Sequence, residues 1–366
     1  MADVSALITG ATGFIGGRLA ARLRADGRTV HALVRPGADV QPLLDAGVVT
    51  FEGELADPNS IAQAAAGCEV VFHCAAEASH RADPAALAWV NVAGTENVIN
   101  ASRAADVPVV VLLSCADVTL ENRDRLYAKE SAAAAIRCFN ALARTKLLGE
   151  ELALQANSSG MGVVALRPAW VWGARDTTRL PGLVAEGLAG GMALFGGGDN
   201  LVATAHVDNV VDAMLLAQGA EGARGKALHI ADSDTLSIRE FLGAMSTALS
   251  LPSPRRGVYP LSYGAALLRR ALSRPGPWPM DVVCRGRGRM LEVSSAAGAM
   301  GFSPRVGLDE GMAGLTAWAA ELGGAEAIAR LGRQPAGGST ATAHRRAADA
   351  AVADVDSPAT TTSGGD

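Results

Sequence analysis

Residues 5–17 read S-A-L-I-T-G-A-T-G-F-I-G-G: a short apolar run, glycines at positions 10, 13 and 16, and the start of a helical pattern near Phe14. Each glycine has a physical task. Gly10 permits the tight turn out of a strand, Gly13 lets the backbone approach a pyrophosphate, and Gly16 lets the helix pack on the strand. The helix start then points free N–H groups and the positive end of its dipole at the phosphates. The stretch therefore predicts a dinucleotide-binding turn.

Apolar, β-branched runs alternate with longer helical patterns through the first 170 residues. The runs span Ser5–Thr9, Thr29–Val34, Val48–Phe51, Val70–Cys74, Val109–Leu113 and Val163–Leu166. Strands that are apolar throughout are covered by helices on both faces, as in a parallel sheet. We expect an α/β fold with a Rossmann-type, doubly wound parallel sheet over residues 1–170, to which some later segments return. Residues 171–323 are expected to form a smaller C-terminal substrate-binding lobe.

The composition narrows the class of protein. The chain has 366 residues, of which 49% are hydrophobic and 19% charged, a balance typical of a globular protein. Its net charge of −5 excludes a protein that binds nucleic acid through its overall charge. The five cysteines form no C-x-x-C pair, which favours a reducing compartment and argues against a structural metal site.

The two ends of the chain give further expectations. We find neither a signal peptide pattern nor a run of 18 apolar residues, so we expect a cytoplasmic protein without a spanning helix. The stretch Pro335–Asp366 contains no aromatic residue and no Leu, Ile or Met. Such a segment buries too little apolar surface to offset its ordering entropy. Residues 324–366 are therefore predicted to be a low-complexity, disordered tail.

The residue after the second apolar run bears on the cofactor. Val34 is followed by Arg35-Pro36-Gly37. An Asp or Glu in this place would accept the ribose 2′-hydroxyl of NAD, whereas an Arg offers a bidentate partner for a 2′-phosphate. Arg35 therefore favours NADP(H), with NAD(H) as the alternative if this arginine is only a solvated loop residue.

Further segments carry a family resemblance. They are Gly10–Gly16 with the spacing G-x-x-G-x-x-G, Gly53–Asp57, Val71–Ala76, Asn91–Thr95, Arg167–Gly173 and His206–Asn209. In this order they resemble the extended short-chain dehydrogenase/reductase family, which includes the NAD-dependent epimerases and dehydratases. Within it the chain is most similar to the 3β-hydroxysteroid dehydrogenases, sterol-4-carboxylate dehydrogenases and dihydroflavonol reductases. The resemblance implies an NAD(P)-dependent oxidoreductase that interconverts a ketone and a secondary alcohol on a bulky, apolar, sterol-like substrate.

The resemblance also implies the cofactor contacts. They are Gly10, Thr12, Gly13, Phe14, Ile15, Gly16, Arg35, Glu54, Leu55, Cys74, Ala75, Ala76, Asn91, Lys146, Pro168 and Val171.

The family's active site contains Ser, Tyr and Lys, and this sequence departs from it at two of the three positions. In the family, the tyrosine exchanges a proton with the substrate oxygen, the lysine lowers its pKa and holds the nicotinamide ribose, and the serine orients the carbonyl. Here the serine position is Cys115, the tyrosine position is Leu142, and Lys146 is retained. No tyrosine of the chain has a lysine four residues later. We therefore predict Lys146 and Cys115 as the catalytic residues of an atypical site.

Three interpretations of this site stay open. In the first, the enzyme is active and its proton comes from Cys115, Tyr127, His80 or Glu77. In the second, the protein binds NADP(H) and a ligand without turnover, as a sensor or scaffold. In the third, the substrate brings its own acid, or carboxylate loss or a water molecule handles the proton. A sugar-nucleotide epimerase or dehydratase is a further alternative within the family.

Two expectations concern partners. Residues 255–289 contain eight arginines and one acidic residue, Asp281, around the apolar helical stretch Leu261–Leu272. This pattern favours peripheral contact with an anionic membrane surface, and a solvated basic face beside a core helix is the alternative. In the resembled family, the helices after Asn91 and around Lys146 commonly form a dimer interface, which implies a homodimer.

Overall fold

The computed structural model describes residues 5–132, 140–274 and 276–331. Within them the strands are β1 (Ala6–Thr9), β2 (Val30–Val34), β3 (Val49–Glu52), β4 (Val70–His73), β5 (Val109–Leu113), β6 (Arg125–Ala128), β7 (Gly162–Pro168), β8 (Trp170–Trp172), β9 (Ala193–Phe195), β10 (Leu201–Val202), β11 (Thr204–His206), β12 (Ala227–Ile230), β13 (Leu236–Ser237), β14 (Arg255–Gly257) and β15 (Arg289–Leu291).

The α-helices of the described residues are α1 (Phe14–Ala25), α2 (Gln41–Asp45), α3 (Pro58–Ala65), α4 (Pro84–Ala88), α5 (Gly94–Ala104), α6 (Ala141–Gln155), α7 (Leu180–Leu188), α8 (Val207–Gly219), α9 (Ile238–Ala248), α10 (Tyr259–Ala271), α11 (Pro279–Gly286), α12 (Ser294–Met300), α13 (Leu308–Leu322) and α14 (Ala325–Leu331). A π-helical turn, Trp89–Ala93, joins α4 to α5, and a 3₁₀ turn, Ala116–Thr119, follows β5.

Seven strands form one parallel sheet in the order β12-β7-β5-β4-β1-β2-β3. The order reverses at β1, which lies between β2 and β4. In an open α/β sheet, the ligand crevice lies outside the carboxyl ends of the strands at this switch point. The predicted doubly wound Rossmann sheet is confirmed, since each of the six predicted apolar runs is one of its strands.

Two helical layers cover this sheet because its strands are apolar on both faces. On one face, Leu19 and Leu23 of α1 and Met214 of α8 pack with the sheet in one core cluster. On the other face, Ile61 of α3 and Val98 of α5 belong to a second cluster. Helices thus cover the sheet from both sides, and its carboxyl edge is where a ligand site is expected.

The smaller lobe has its own apolar core. Helices α7, α9, α13 and α14 surround Trp170 and Trp172 of β8. A four-stranded sheet, in the order β13-β10-β15-β6, adjoins them. Trp172 donates a hydrogen bond from Nε1 to Asp232, at 2.9 Å, so the strand that starts this lobe is also tied to the segment after β12.

Two observations bear on the predicted domain boundaries. Within the span predicted for the lobe, residues 207–230 return to the main sheet through α8 and β12, and α12 packs beside them. The tail was predicted to begin at residue 324, and this is wrong for Ala325–Leu331, which forms α14 with Ile328 fully buried against the lobe core. The remainder of the predicted tail, residues 332–366, lies outside the described residues.

Within the described ranges, no helix has both the length and the apolar character that a transmembrane span needs.

Candidate active site

A cavity of about 250 Å³ lies at the carboxyl edge of the sheet, where the switch point predicts a ligand. The glycine-rich turn, the ends of β4, β5 and β7, the start of β8 and one face of α6 form its walls. The predicted site residues that line it are Gly10, Gly13, Phe14, Ile15, Gly16, Cys74, Ala76, Cys115, Lys146, Pro168 and Val171.

The glycine-rich turn has the geometry that a bound pyrophosphate requires. Gly10 has a φ of +75°, and a Cβ on it would lie 2.7 Å from the backbone nitrogen of Ala75. A Cβ on Gly16 would lie 2.3 Å from the carbonyl oxygen of Gly10, so the helix approaches the turn as closely as backbone allows. No side chain caps α1 at Gly13. The first N–H groups of α1 therefore face the cavity, and these residues fit a dinucleotide cofactor.

Six predicted cofactor residues do not line this cavity, namely Thr12, Arg35, Glu54, Leu55, Ala75 and Asn91. Ala75 backs Gly10, as described above. Asn91 is buried and links two segments: its Nδ2 donates to the carbonyl oxygen of Glu77, at 3.0 Å, and to Thr145 Oγ1, at 3.2 Å. Asn91 thus positions the loop after β4 against α6. Arg35 is exposed directly after β2, beside β1 in the sheet.

Lys146 reaches the cavity from α6, which begins where the Asn140 side chain accepts a hydrogen bond from the backbone N–H of Ala143. Its Nζ donates to the carbonyl oxygen of Leu113, at 2.7 Å. Burial lowers the pKa of Lys146 below the usual lysine range, although Cys115, Glu150 and Cys74 act in the opposite direction. The retained lysine is therefore held at the cavity with a destabilised charge.

Cys115 and Ser114 follow β5 at the same wall. Burial, helped by the negative charge of Asp117, raises the pKa of the Cys115 thiol to about 12, so it is a neutral thiol at physiological pH. Ser114 lines the cavity, and its buried hydroxyl has no hydrogen-bond partner among the described residues. Our sequence reasoning missed Ser114, although its place directly before Cys115 at a strand end was a usable signal.

The other proposed proton donors lie elsewhere. Tyr127 is 61% exposed on β6 and does not line the cavity. His80 Nε2 lies 3.3 Å from Asp281 Oδ1, and Glu77 Oε1 accepts from the backbone N–H of Ser79. Leu142 is buried at the cavity wall, in the place of the family's tyrosine. Of the proton donors proposed from sequence, only Cys115 lines this cavity, beside Lys146.

A charged cluster at the far wall was not predicted. Asp117 pairs closely with the buried guanidinium of Arg289, and Arg179 NH2 lies 3.6 Å from Asp117 Oδ2. Burial opposes ionisation of Asp117, but Arg289 and Arg179 outweigh it and lower its pKa. Arg179 also lies over the ring of Trp170, 5.4 Å from its centroid. Two positive groups thus share one carboxylate beside a mainly apolar cavity.

Fold and site together define an NAD(P)-dependent oxidoreductase of the Rossmann type: a doubly wound sheet, an uncapped glycine-rich turn at its switch point, and a half-buried lysine at the same cavity. A sequence model of the NAD dependent epimerase/dehydratase family matches residues 6–231, and the chain belongs to this family. The predicted resemblance to extended short-chain dehydrogenases and reductases is confirmed.

Three relatives illustrate the match. The chain is 32% identical, over 83% of its length and 93% of the relative's, to the 4-hydroxy-2-methyl-3-oxo-4-farnesyl-3,4-dihydroquinoline-1-oxide ketoreductase of Stigmatella aurantiaca. It is 31% identical to the 2-alkyl-3-oxoalkanoate reductase of Shewanella oneidensis, over 85% of each chain. It is 29% identical to the decarboxylating sterol-4-alpha-carboxylate 3-dehydrogenase of Mus musculus, over 83% of this chain and 87% of the relative. The last match confirms the predicted branch of the family.

Proposed function

We propose that the protein is an NADP(H)-dependent ketoreductase that acts on a ketone of a large, mainly apolar molecule. The observation that carries the proposal is the shared cavity, which the glycine-rich turn, Ser114 and Lys146 all line. Apolar side chains such as Leu113 and Leu142 supply much of the remaining wall. The names of two relatives, a ketoreductase and an oxoalkanoate reductase, support the same reaction class.

Arg35 supports NADP(H) over NAD(H). It is exposed after β2, and no carboxylate follows it before Asp39. A guanidinium pairs bidentately with a 2′-phosphate, a contact that NAD cannot make. Titration should give a Kd about tenfold lower for NADPH than for NADH, and Arg35→Asp should reverse the order. Equal affinities in the unmodified protein would contradict this preference.

When bound, the cofactor supplies a hydride to the carbonyl carbon. The chain's own residues then orient the carbonyl oxygen and give it a proton. The unpartnered hydroxyl of Ser114 donates a hydrogen bond to that oxygen. The ammonium of Lys146 gives the proton, because burial brings its pKa closer to the operating pH. The Cys115 thiol, with a pKa of about 12, is too weak an acid for this task.

The charged cluster supports a substrate that carries a carboxylate near its ketone. Arg179 lines the cavity, and its partner Asp117 is already paired closely with Arg289. The three groups leave one positive charge without a compensating carboxylate, which an acidic substrate would supply through a charge-assisted hydrogen bond. The name of the Shewanella oneidensis relative specifies an oxoalkanoate, a substrate of this chemistry.

NADPH oxidation with matched substrates tests the proposal. A freshly saponified 2-alkyl-3-oxoalkanoic acid, its methyl ester and a 3-ketosteroid are compared at equal concentration. We expect turnover of the acid, with a KM about tenfold lower than that of the ester, and loss of this difference in Arg179→Met. Ser114→Ala should lower kcat about tenfold or more and leave the Kd of NADPH unchanged.

The outcomes separate the parts of the proposal. Tight NADPH binding without turnover of any ketone would overturn the reductase and favour a binding protein. Equal KM values for acid and ester would remove only the carboxylate contact.

A further inference from the structure

The outer face of α10 exposes an apolar stripe. Val258, Leu261, Leu268 and Leu272 are between 54% and 72% exposed. At 100° per residue, these four positions lie within an arc of about 80° on one side of the helix. Apart from Tyr127, no large apolar side chain of the described residues outside 258–272 is exposed to this degree.

The opposite side of α10 holds the helix on the protein. Ala266 is fully buried in a cluster with Phe195 and Val282, and the rings of Tyr259 and Tyr263 pack against this cluster. These positions lie roughly 150° around the helix from the stripe. The stripe therefore points away from the body of the protein because the helix is fixed by its other face.

Five exposed arginines lie on α10 or on the segments directly before and after it. They are Arg255, Arg256, Arg269, Arg270 and Arg274. None of them takes part in an ion pair within the described residues. The sequence has no acidic residue between positions 255 and 280. The surface thus combines exposed apolar side chains with a charge of five arginines.

The structure also shows which arginines of the basic segment do not belong to this surface. Arg285 pairs with Glu186 at 2.9 Å, Arg287 lies 4.1 Å from the ring centroid of Tyr259, and Arg289 pairs with Asp117. Three of the eight arginines therefore serve internal contacts. The remaining five are exposed, and one of them, Arg255, also donates from Nε to the carbonyl oxygen of Gly191, at 3.0 Å.

From these observations we infer that the outer face of α10 docks on an anionic lipid surface. Apolar side chains flanked by arginines match a bilayer interface, where the leucines enter the acyl boundary and the guanidinium groups stay among anionic headgroups. A second copy of the chain fits poorly, because a two-fold contact through this face would bring the arginines of both copies together.

The helix that carries the docked face also contacts the rim of the cavity. Arg270 lies over the ring of Trp278, 5.3 Å from its centroid, and Arg81 lies on the same ring at 5.6 Å. Arg81 also pairs with Asp281 at 3.0 Å, and the loop that carries Arg81 includes Ala78 of the cavity wall. Docking would therefore hold the helix that borders the cavity rim at the lipid surface, where an apolar substrate dissolves. The inference concerns location alone and does not depend on turnover.

Vesicle co-sedimentation of the full chain tests the inference. The probes are vesicles of phosphatidylcholine alone and of phosphatidylcholine with 30% phosphatidylglycerol, at low and at high salt. We expect binding to the anionic vesicles only, with about tenfold weaker binding at high salt, because the arginines act through screened charge.

Two variants and one control separate the contributions. Leu261→Ser with Leu268→Ser should weaken vesicle binding about tenfold or more, and Arg269→Gln with Arg274→Gln should do the same. Leu44→Ser with Leu126→Ser changes two exposed leucines away from the stripe and should bind as the unmodified protein does. Thermal unfolding confirms that each variant is folded.

Three results would overturn the inference. They are an unmodified protein that stays in the supernatant with anionic vesicles, a leucine variant that binds like the unmodified protein, and a dimer in solution that the leucine variant dissociates while no vesicle binding occurs.

Discussion

Lys146 in α6 donates a hydrogen bond from Nζ to the backbone carbonyl oxygen of Leu113, the last residue of β5, at 2.7 Å. This bond joins the helix that lacks the family's tyrosine to the strand end that continues into Ser114 and Cys115. The bond to Leu113 therefore holds Lys146 at the cavity although Leu142 stands in place of the family's tyrosine.

Replacing Lys146 by Met should lower NADPH-dependent ketone reduction by about a hundredfold or more, because the site loses its proton donor. The thermal midpoint should fall by only a few degrees, since Met also removes a buried ammonium whose charge is destabilised by burial. Steady-state kinetics and thermal unfolding measure the two effects. Lys226→Met, which changes an exposed lysine, is the matched control. Retained activity in Lys146→Met would show that another group delivers the proton.

Installing the family's two hydroxyls should increase the rate. Leu142 is buried at the cavity wall four residues before Lys146. A tyrosine at this position would lie near the ammonium of Lys146, and this positive charge would lower the pKa of its phenol. Leu142→Tyr combined with Cys115→Ser is expected to raise kcat about tenfold or more, measured with saturating NADPH. A folded double variant that binds NADPH but reduces ketones no faster would contradict the assignment of Leu142 to the tyrosine position.

Local features of the sequence predicted the glycine-rich turn. They could not predict the charged cluster, because its residues are far apart in the sequence. Gly10 is required by its positive φ and Gly16 by its close approach to the backbone of Gly10, so the local spacing of the glycines reports both. Asp117, Arg179 and Arg289 come from three distant segments, and only the folded chain brings them together.

The sequence likewise did not reveal which arginines of residues 255–289 face inward. A count of charged residues does not show which way a side chain points. Arg285 and Arg289 were therefore counted with the exposed basic surface, although both are buried. The helix α14 was missed for a related reason. Its seven residues directly follow Gly323 and Gly324, which indicate a helix end, and its stability comes from packing against α7 rather than from local pattern.

The free energy of unfolding should depend strongly on keeping both partners of the ion pair between Arg167 and Glu150. Arg167 Nε donates to Glu150 Oε2 at 2.8 Å, and the two side chains are 5% and 1% exposed. Arg167→Met leaves a buried carboxylate without its partner and should lower the free energy of unfolding by about 3–5 kcal/mol. Urea denaturation measures it. Arg167→Met with Glu150→Met should recover most of the loss, because both charges are then removed.

An exposed pair provides the control for this prediction. Arg18 and Asp208 form an ion pair whose side chains are 48% and 26% exposed. Arg18→Met should change stability by at most about 1 kcal/mol. If the double Arg167 and Glu150 variant were as unstable as Arg167→Met, the loss would come from packing of the arginine and not from the orphaned carboxylate.

His73 should make the protein sensitive to acid. It is fully buried on β4, with Nδ1 2.7 Å from Thr9 Oγ1 and Nε2 3.1 Å from Thr95 Oγ1, and burial together with Lys146 lowers its pKa from 6.5 to about 3. Between these values the unfolded chain binds a proton that the folded chain does not. Stability from this group is complete above pH 6.5 and is lost as the pH falls to about 3. The expected slope of the free energy of unfolding is about 1.4 kcal/mol per pH unit.

In His73→Gln, the slope of the free energy of unfolding between pH 6 and pH 4 should therefore be shallower by up to about that amount. Urea denaturation across this range measures the slope, to which the lowered pKa values of His206 and His229 contribute in both proteins. An unchanged slope in His73→Gln would mean that His73 accepts a proton in the folded protein as readily as in the unfolded chain.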